Sequence, residues 1–307
     1  MHYILTGAHG FIGSYLAHEL IHHPHTSIIA VVRKGANLTR LNDIRHYITV
    51  LESDGFKEKN LFQSLSSAIS VTVFHLAWEG VVGACRNDLL QRCNLDLLKN
   101  FLSQIKSLPV QTIIALGSQA EYGSKDHPIE ESEELKPLTL YVQAKIQTCN
   151  YLQDYCLSHG IGCIWLRLFS SYGPMDNPSW LIPYVMTQFL QNKSPLLTEG
   201  TQIWDYLYVE DVAKALIASS YLKGNHIFNL GSASEVMIRN LVTRIYELIQ
   251  PTSALCFGRA PFRSDQIMYL QADMSKFFAM SSWRPTVSLE KGLEKTLNYL
   301  RKSRDSS

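Results

Sequence analysis

The chain has 307 residues, 46% of them hydrophobic and 18% charged, which is ample material for a large core and excludes disordered and fibrous classes. Its 28 Lys and Arg against 27 Asp and Glu leave a formal charge of +1, so there is no electrostatic case for a nucleic-acid-binding or polybasic membrane protein. No apolar run reaches the roughly 18 residues of a membrane span.

Residues 1–6 read as a strand rather than a secretion signal, so the expectation is a cytoplasmic protein. Its six Cys include no C-x-x-C pair and are expected to be reduced. Strands are predicted over Tyr3 to Thr6, Ser27 to Val32, Val71 to Leu76, Thr112 to Leu116 and Cys163 to Leu168. Helices are predicted over Gly10 to His22, Leu89 to Ile105 and Tyr141 to Leu157. This alternation predicts an α/β fold, a doubly wound parallel sheet with helices on both faces. Beyond Ser171-Tyr172-Gly173-Pro174 the pattern is mixed and broken by proline. The expected division is a dinucleotide-binding domain at 1–170, its sheet completed by segments near 203–232, and a smaller substrate lobe over 171–307.

The stretch Thr6-Gly7-Ala8-His9-Gly10-Phe11-Ile12-Gly13 joins the first strand to the first helix. Its glycines suit a tight turn, close approach of backbone to a pyrophosphate, and close packing of helix on strand. The helix start at Phe11 and Ile12 then favours a bound anion. At the end of the second strand, Val32-Arg33-Lys34 stands where an acidic residue would bond the ribose hydroxyls of NAD. Two cations there favour a 2′-phosphate, so NADP(H) is expected, with NAD(H) as the alternative. Asp54, in Glu52-Ser53-Asp54-Gly55, is either an adenine contact or a simple turn residue. His18-Glu19-Leu20-Ile21-His22 matches a zinc-protease pattern, but it lies on the helix after the glycine turn with no third ligand downstream, and no metal site is expected.

Tyr141 and Lys145 are four residues apart, hence on one helical face. An ammonium beside the phenol is expected to favour the tyrosinate and lower its pKa. Ser118, just past a predicted strand, can bond the same oxygen.

With these motifs in this order, the chain resembles the extended short-chain dehydrogenase/reductase superfamily, in its nucleotide-sugar epimerase/dehydratase branch. On that resemblance Ser118, Tyr141 and Lys145 match the catalytic triad, and Gly7, Gly10 and Gly13 match the cofactor turn. Phe74-His75-Leu76-Ala77 is similar to the strand end lining the nicotinamide, and Asn94 to a structural Asn. Tyr141 and Lys145 would also touch the cofactor. The run from Trp204 to Val212 resembles an R-D-Y-x-x-V-x-D block, while Arg263-Ser264-Asp265, Ala272-Asp273 and Ser282-Trp283-Arg284-Pro285 resemble the C-terminal signature.

The departures carry information too. Trp204 stands where the family often has an Arg on the substrate diphosphate, leaving Arg263 as the candidate phosphate partner. Ser170 replaces the Asn of R-x-x-N. Gln119 and Ala120 stand where 4,6-dehydratases carry an acid pair, which argues against dehydration. Trp78, Gln119, Ser170, Trp204 and Arg263 are therefore the substrate-binding candidates. Trp180 and Tyr184 either stack on sugar or base or pack within the lobe. Glu121 and Tyr122 either approach the hexose or, as the favoured expectation, Tyr122 packs and Glu121 alone is exposed.

The resemblance, nearest to 4-keto-6-deoxyhexose reductases, implies NADP-dependent reduction of the C4 keto group of a nucleotide-activated 4-keto-6-deoxyhexose. It also implies a nucleotide-diphosphate sugar as substrate and a homodimer built on the helix of Tyr141 and Lys145. The alternatives are a nucleotide-sugar 4-epimerase holding NAD and a non-catalytic dinucleotide-sensing regulator on the same fold. The intact Ser118, Tyr141 and Lys145 argue against the last.

Overall fold

The computed structural model describes residues 1–305 except 59, 66, 82, 264 and 265. Strand and helix alternate from the start: β1 (His2–Thr6), α1 (Phe11–Leu20), β2 (Ser27–Val32), β3 (Thr49–Glu52), β4 (Val71–His75), α2 (Cys93–Ile105), β5 (Val110–Ser118), α3 (Leu140–His159) and β6 (Gly162–Leu168). Each predicted strand is present within two residues of its expected bounds. The expected helix Leu89 to Ile105 begins with a 3₁₀ turn at Leu89–Arg92, capped by the Asp88 carboxylate on the Leu90 N–H, before α2 proper. β3 has no predicted counterpart because a four-residue run carries too little periodicity to stand out.

The chain continues with β7 (Ser170–Tyr172), α4 (Leu181–Leu190), β8 (Ile203–Tyr208), α5 (Val209–Ser219), β9 (Asn225–Leu230), β10 (Glu235–Met237), α6 (Ile238–Ile249), β11 (Tyr269–Leu270), α7 (Ser275–Met280) and α8 (Leu289–Asp305).

The main sheet is parallel throughout, in the order β3-β2-β1-β4-β5-β6-β9. Its central strands are apolar on both faces, as a sheet covered on both sides must be. Leu16, Ala17 and Leu20 of α1 and Val212 and Leu216 of α5 pack on one face; Leu98, Phe101 and Leu102 of α2 and Cys149, Leu152 and Cys156 of α3 pack on the other. The fold is the doubly wound parallel α/β architecture that the sequence predicts. Strand order reverses between β1 and β4, and it is beyond the strand C-termini at such a reversal that open α/β sheets bind ligands.

The stretch 203–232, expected to complete the main sheet, does so only through β9. β8 instead lies at the centre of a smaller sheet, antiparallel to β10 and parallel to β7 and β11. Helices α4, α6 and α8 form a third core against Tyr172 and Tyr208. Two buried carboxylates tie this region together. Asp205 accepts the Ser232 N–H and hydroxyl, both at 2.7 Å, the Ala233 N–H at 3.2 Å and the Ala272 N–H at 3.3 Å. Asp211 accepts the Thr286 N–H at 2.9 Å, its hydroxyl at 2.8 Å and the Val287 N–H at 2.8 Å. No described helix is long and apolar enough to cross a membrane.

Candidate active site

The glycine turn lies against the end of β4. Gly7 has φ +72°, and a Cβ there would stand 2.8 Å from the Ala77 nitrogen. The turn is pinned by the Leu76 N–H on the Thr6 carbonyl and the Ala77 N–H on the Thr6 hydroxyl, each at 3.2 Å. Gly10 caps α1 in extended conformation with no side-chain cap, and the first turn contains no acid. Unpaired N–H groups with no competing carboxylate fit a pyrophosphate. Phe11 packs edge-on to Tyr15 at 5.8 Å, and Ile12 packs on the core beneath. Two buried polar atoms, His9 Nδ1 in the turn and Gln119 Oε1 beside Ser118, have no protein partner, as groups that serve a polar ligand would.

At the outer end of β2 the two cations are both matched by carboxylates. Arg33 pairs with Glu79 at 3.0 Å and Lys34 with Asp54 at 3.6 Å. Less unbalanced charge is left for a 2′-phosphate than the sequence suggests. Asp54 thus sits with Lys34, and its N–H donates to Glu58 at 3.0 Å. Asn94 pins the loop after β4, accepting the Glu79 N–H at 2.8 Å and donating to the Glu79 carbonyl at 3.1 Å.

Ser118 ends β5, while Tyr141 and Lys145 project from the first turns of α3, which is capped by Thr139. The Ser118 hydroxyl oxygen accepts the Ala120 N–H at 3.2 Å, leaving its proton for Tyr141 or a ligand oxygen. Tyr141 is 5% exposed, and burial pushes its phenol above the ordinary value against the opposing pull of Ser118 and Arg86. The expected lowering by Lys145 is therefore not observed. The ammonium instead donates to the Leu116 carbonyl at 2.8 Å and lies 3.5 Å from the centroid of the Trp78 ring, against 5.8 Å from that of Tyr141. Burial lowers Lys145 to about 7, with Glu121 opposing.

Trp78 is thus brought to the triad, its indole N–H held by the buried Gln91 at 3.1 Å. Ser170 and Trp204 lie on β7 and β8 of the smaller sheet, where the Trp204 indole donates to the Ile267 carbonyl at 3.0 Å. Arg263 is on an exposed loop, and Ser264 and Asp265 of the same motif are outside the described residues. Trp180 is 37% exposed at the start of α4, whereas the Tyr184 hydroxyl accepts the Leu196 N–H at 2.9 Å. His18 bonds Asp43 at 3.0 Å and the Ser14 carbonyl at 2.7 Å.

Sequence reasoning missed Arg86, whose carbonyl accepts the Tyr141 N–H at 2.8 Å and whose guanidinium lies 5.3 Å from the ring centroid. No local pattern marks it. The expectation for Glu121 is overturned: the residue is 0% exposed and paired with Arg167 at 2.7 Å. Its signal was present, since Ser118-Gln119-Ala120-Glu121 is an S-x-x-E capping box, and the structure forms that box. Tyr122 is packed as expected, its hydroxyl donating to Asn229 at 2.6 Å.

Residues 3–231 match the model of the NAD dependent epimerase/dehydratase family. The chain belongs to this family. It is accordingly an enzyme whose cofactor is a nicotinamide dinucleotide. An uncharacterized UDP-glucose epimerase of Bacillus subtilis is 27% identical, the match covering 98% of each chain. A dTDP-4-dehydro-6-deoxyglucose reductase of Escherichia coli is 25% identical over 97% of each. Among solved structures, a UDP-N-acetylglucosamine 4-epimerase from Methanobrevibacter ruminantium, in complex with UDP-N-acetylmuramic acid, superposes with a TM-score of 0.86 at 25% identity, covering 98% of each chain. Epimerase/dehydratase family members thus span the whole length of this one.

Proposed function

We propose that the protein is a nucleotide-sugar 4-epimerase acting on a nucleotide-diphosphate hexose. The carrying observation is the convergence of Ser118, Tyr141 and Lys145 at the end of β5, with Trp78 from the loop after β4 whose strand end packs on a glycine turn that fits a pyrophosphate, in a chain whose similar proteins include several 4-epimerases. The bound dinucleotide supplies the hydride acceptor and donor at sugar C4. The Ser118 hydroxyl donates to the C4 oxygen and orients it. Tyr141, on that same oxygen, takes and returns the proton. Gln119, with its unpartnered Oε1, accepts a sugar hydroxyl, and Trp78, Ser170, Trp204 and Arg263 bind the remainder of the substrate.

A second reading, the NADP-linked 4-ketoreductase, is favoured by Val32, Arg33 and Lys34, which leave no carboxylate for the ribose hydroxyls at the end of β2. The pairing of those cations with Glu79 and Asp54 supports NAD(H) and the epimerase. The homodimer expected from the family is proposed to form through α2 and α3, which leave Cys93, Tyr151 and Leu157 exposed.

The deciding experiment incubates the enzyme with UDP-hexoses and, separately, with 4-keto-6-deoxy nucleotide sugars plus NADPH. Interconversion of C4 epimers with no net change in dinucleotide absorbance is the expected result, and Tyr141→Phe lowers kcat by about 10²-fold or more. Stoichiometric NADPH oxidation by the keto sugar, without epimer formation, overturns the epimerase in favour of the reductase.

A further inference from the structure

The Glu121 carboxylate is buried behind the triad and has no role in the chemistry above. It sits on the 3₁₀ turn Gln119–Tyr122. Its Oε1 accepts the Ser118 N–H at 2.9 Å and the Trp165 indole N–H at 3.2 Å, and its Oε2 accepts the Arg167 Nε–H at 2.7 Å. A carboxylate so fully satisfied is held in one place. The backbone before Ser118 is fitted to it as well, since a Cβ on Gly117 would lie 2.6 Å from Glu121 Oε1.

Two consequences reach the reacting atoms. The first is geometric. Glu121 holds the N–H of Ser118 while Ala120 holds its hydroxyl oxygen, so both ends of Ser118 are fixed and the hydroxyl proton is turned away from the Ala120 N–H. The second is electrostatic. The titratable groups that face Lys145 are Tyr141 and Cys149 on its own helix, His75 on β4, and Glu121 on the turn after β5. Burial pushes His75 down to about 3, so it is neutral near pH 7. Both groups meet Trp165, its ring centroid 5.9 Å from the Lys145 ammonium and its indole N–H 3.2 Å from Glu121 Oε1, and Glu121 is the acidic group there that favours the charged form of Lys145.

We propose that Glu121 is a positioning residue, a carboxylate locked by Arg167 and Trp165 that orients Ser118 through its backbone and holds the charge on Lys145 during proton transfer at Tyr141. The inference rests on the triad chemistry proposed above, but part of its test needs no sugar.

The variants are Glu121→Gln, Glu121→Asp and the double variant Glu121→Gln/Arg167→Met, in which no buried guanidinium is left unpaired. Three quantities are read: Tm, the split of kcat against KM, and the pH midpoint of NADH affinity by tryptophan fluorescence without sugar. NADH affinity should fall as Lys145 loses its proton. In Glu121→Gln the midpoint moves to lower pH, and kcat falls by about 10- to 100-fold while KM changes less than about threefold. Glu121→Asp recovers part of both. The double variant melts near the parent and keeps the low kcat, while its midpoint returns toward the parent's because a cation is removed with the carboxylate. Parental kcat in a stable double variant, or an unshifted midpoint in Glu121→Gln, overturns the proposal. If the parent turns over no sugar, the proposed function fails while the NADH midpoint still decides Glu121.

Discussion

Replacing Gly13 by alanine sets two effects of opposite sign against each other. Helix propensity alone favours Ala over Gly inside α1 by about 1 kcal/mol. Packing opposes it. The added Cβ would stand 2.2 Å from the Gly7 carbonyl oxygen and 2.9 Å from its carbon, where ordinary contact begins at 3.4 Å. Helix and turn would have to part by about 1 Å. Overpacking costs about 1–3 kcal/mol where side chains can yield. Here the obstacle is backbone, so the upper end applies and the net loss is about 2 kcal/mol. For a chain of this length that corresponds to a Tm lower by about 3 °C. The same shift moves the N–H groups of the helix start, and dinucleotide affinity should fall about tenfold or more, or roughly 1.4 kcal/mol. Thermal denaturation and fluorescence titration with NADH read the two quantities. Gly83→Ala is the control, because a Cβ there meets nothing within 4 Å. A Gly13→Ala protein that melts and binds like the parent would refute the reasoning.

Lys145→Met should flatten the pH dependence of stability. Burial lowers Lys145 from 10.5 to about 7, so between those values the unfolded chain keeps a proton that the folded one releases, and stability rises with pH across the window. Denaturant titrations at pH 7 and pH 9 should differ by about 2 kcal/mol more in the parent than in the variant, and equal differences would refute the assignment. Asp205→Asn turns an amide NH₂ toward donors that the carboxylate now accepts, at a cost of about 1–3 kcal/mol for each one stranded. The denaturation midpoint at pH 8 should fall clearly, and at pH 5 the gap should narrow, because burial raises Asp205 to about 6 and the parent is then itself protonated. An unchanged midpoint at pH 8 would rule out the stapling role.

The parts of this protein that the sequence exposes are those governed by local rules. Strand β1, the turn after it and the Tyr141–Lys145 spacing on α3 are each specified by residues within a few positions of one another. Partnerships formed at a distance are not. Arg33 meets Glu79 from 46 positions away, and Glu121 meets Arg167 at the same separation. The first tempers the inference of a phosphate pocket, and the second turns an expected surface acid into an interior one. The acidification of Tyr141 expected from Lys145 fails for a related reason. Helical spacing puts the two side chains on one face, but the Leu116 carbonyl and the Trp78 ring, both from other elements, claim the ammonium. Strand β8 shows that strand character does not specify a sheet: its membership depends on β7, β10 and β11.

The route of the chain through the main sheet bears on how the protein can be cut. After β6 the polypeptide leaves the sheet, builds β7, α4, β8 and α5, and only then returns to lay β9 alongside β6, with Cys163 opposite Asn225 and Leu168 opposite Leu230. A fragment ending near residue 170 would therefore present β6 as an open edge, with Ile164 and Leu166 stripped of the cover that β9 and α5 provide. An unpaired apolar edge of that kind recruits other chains. Such a fragment should collect in inclusion bodies, and a separately supplied 171–307 piece would need to reach it before a second copy does.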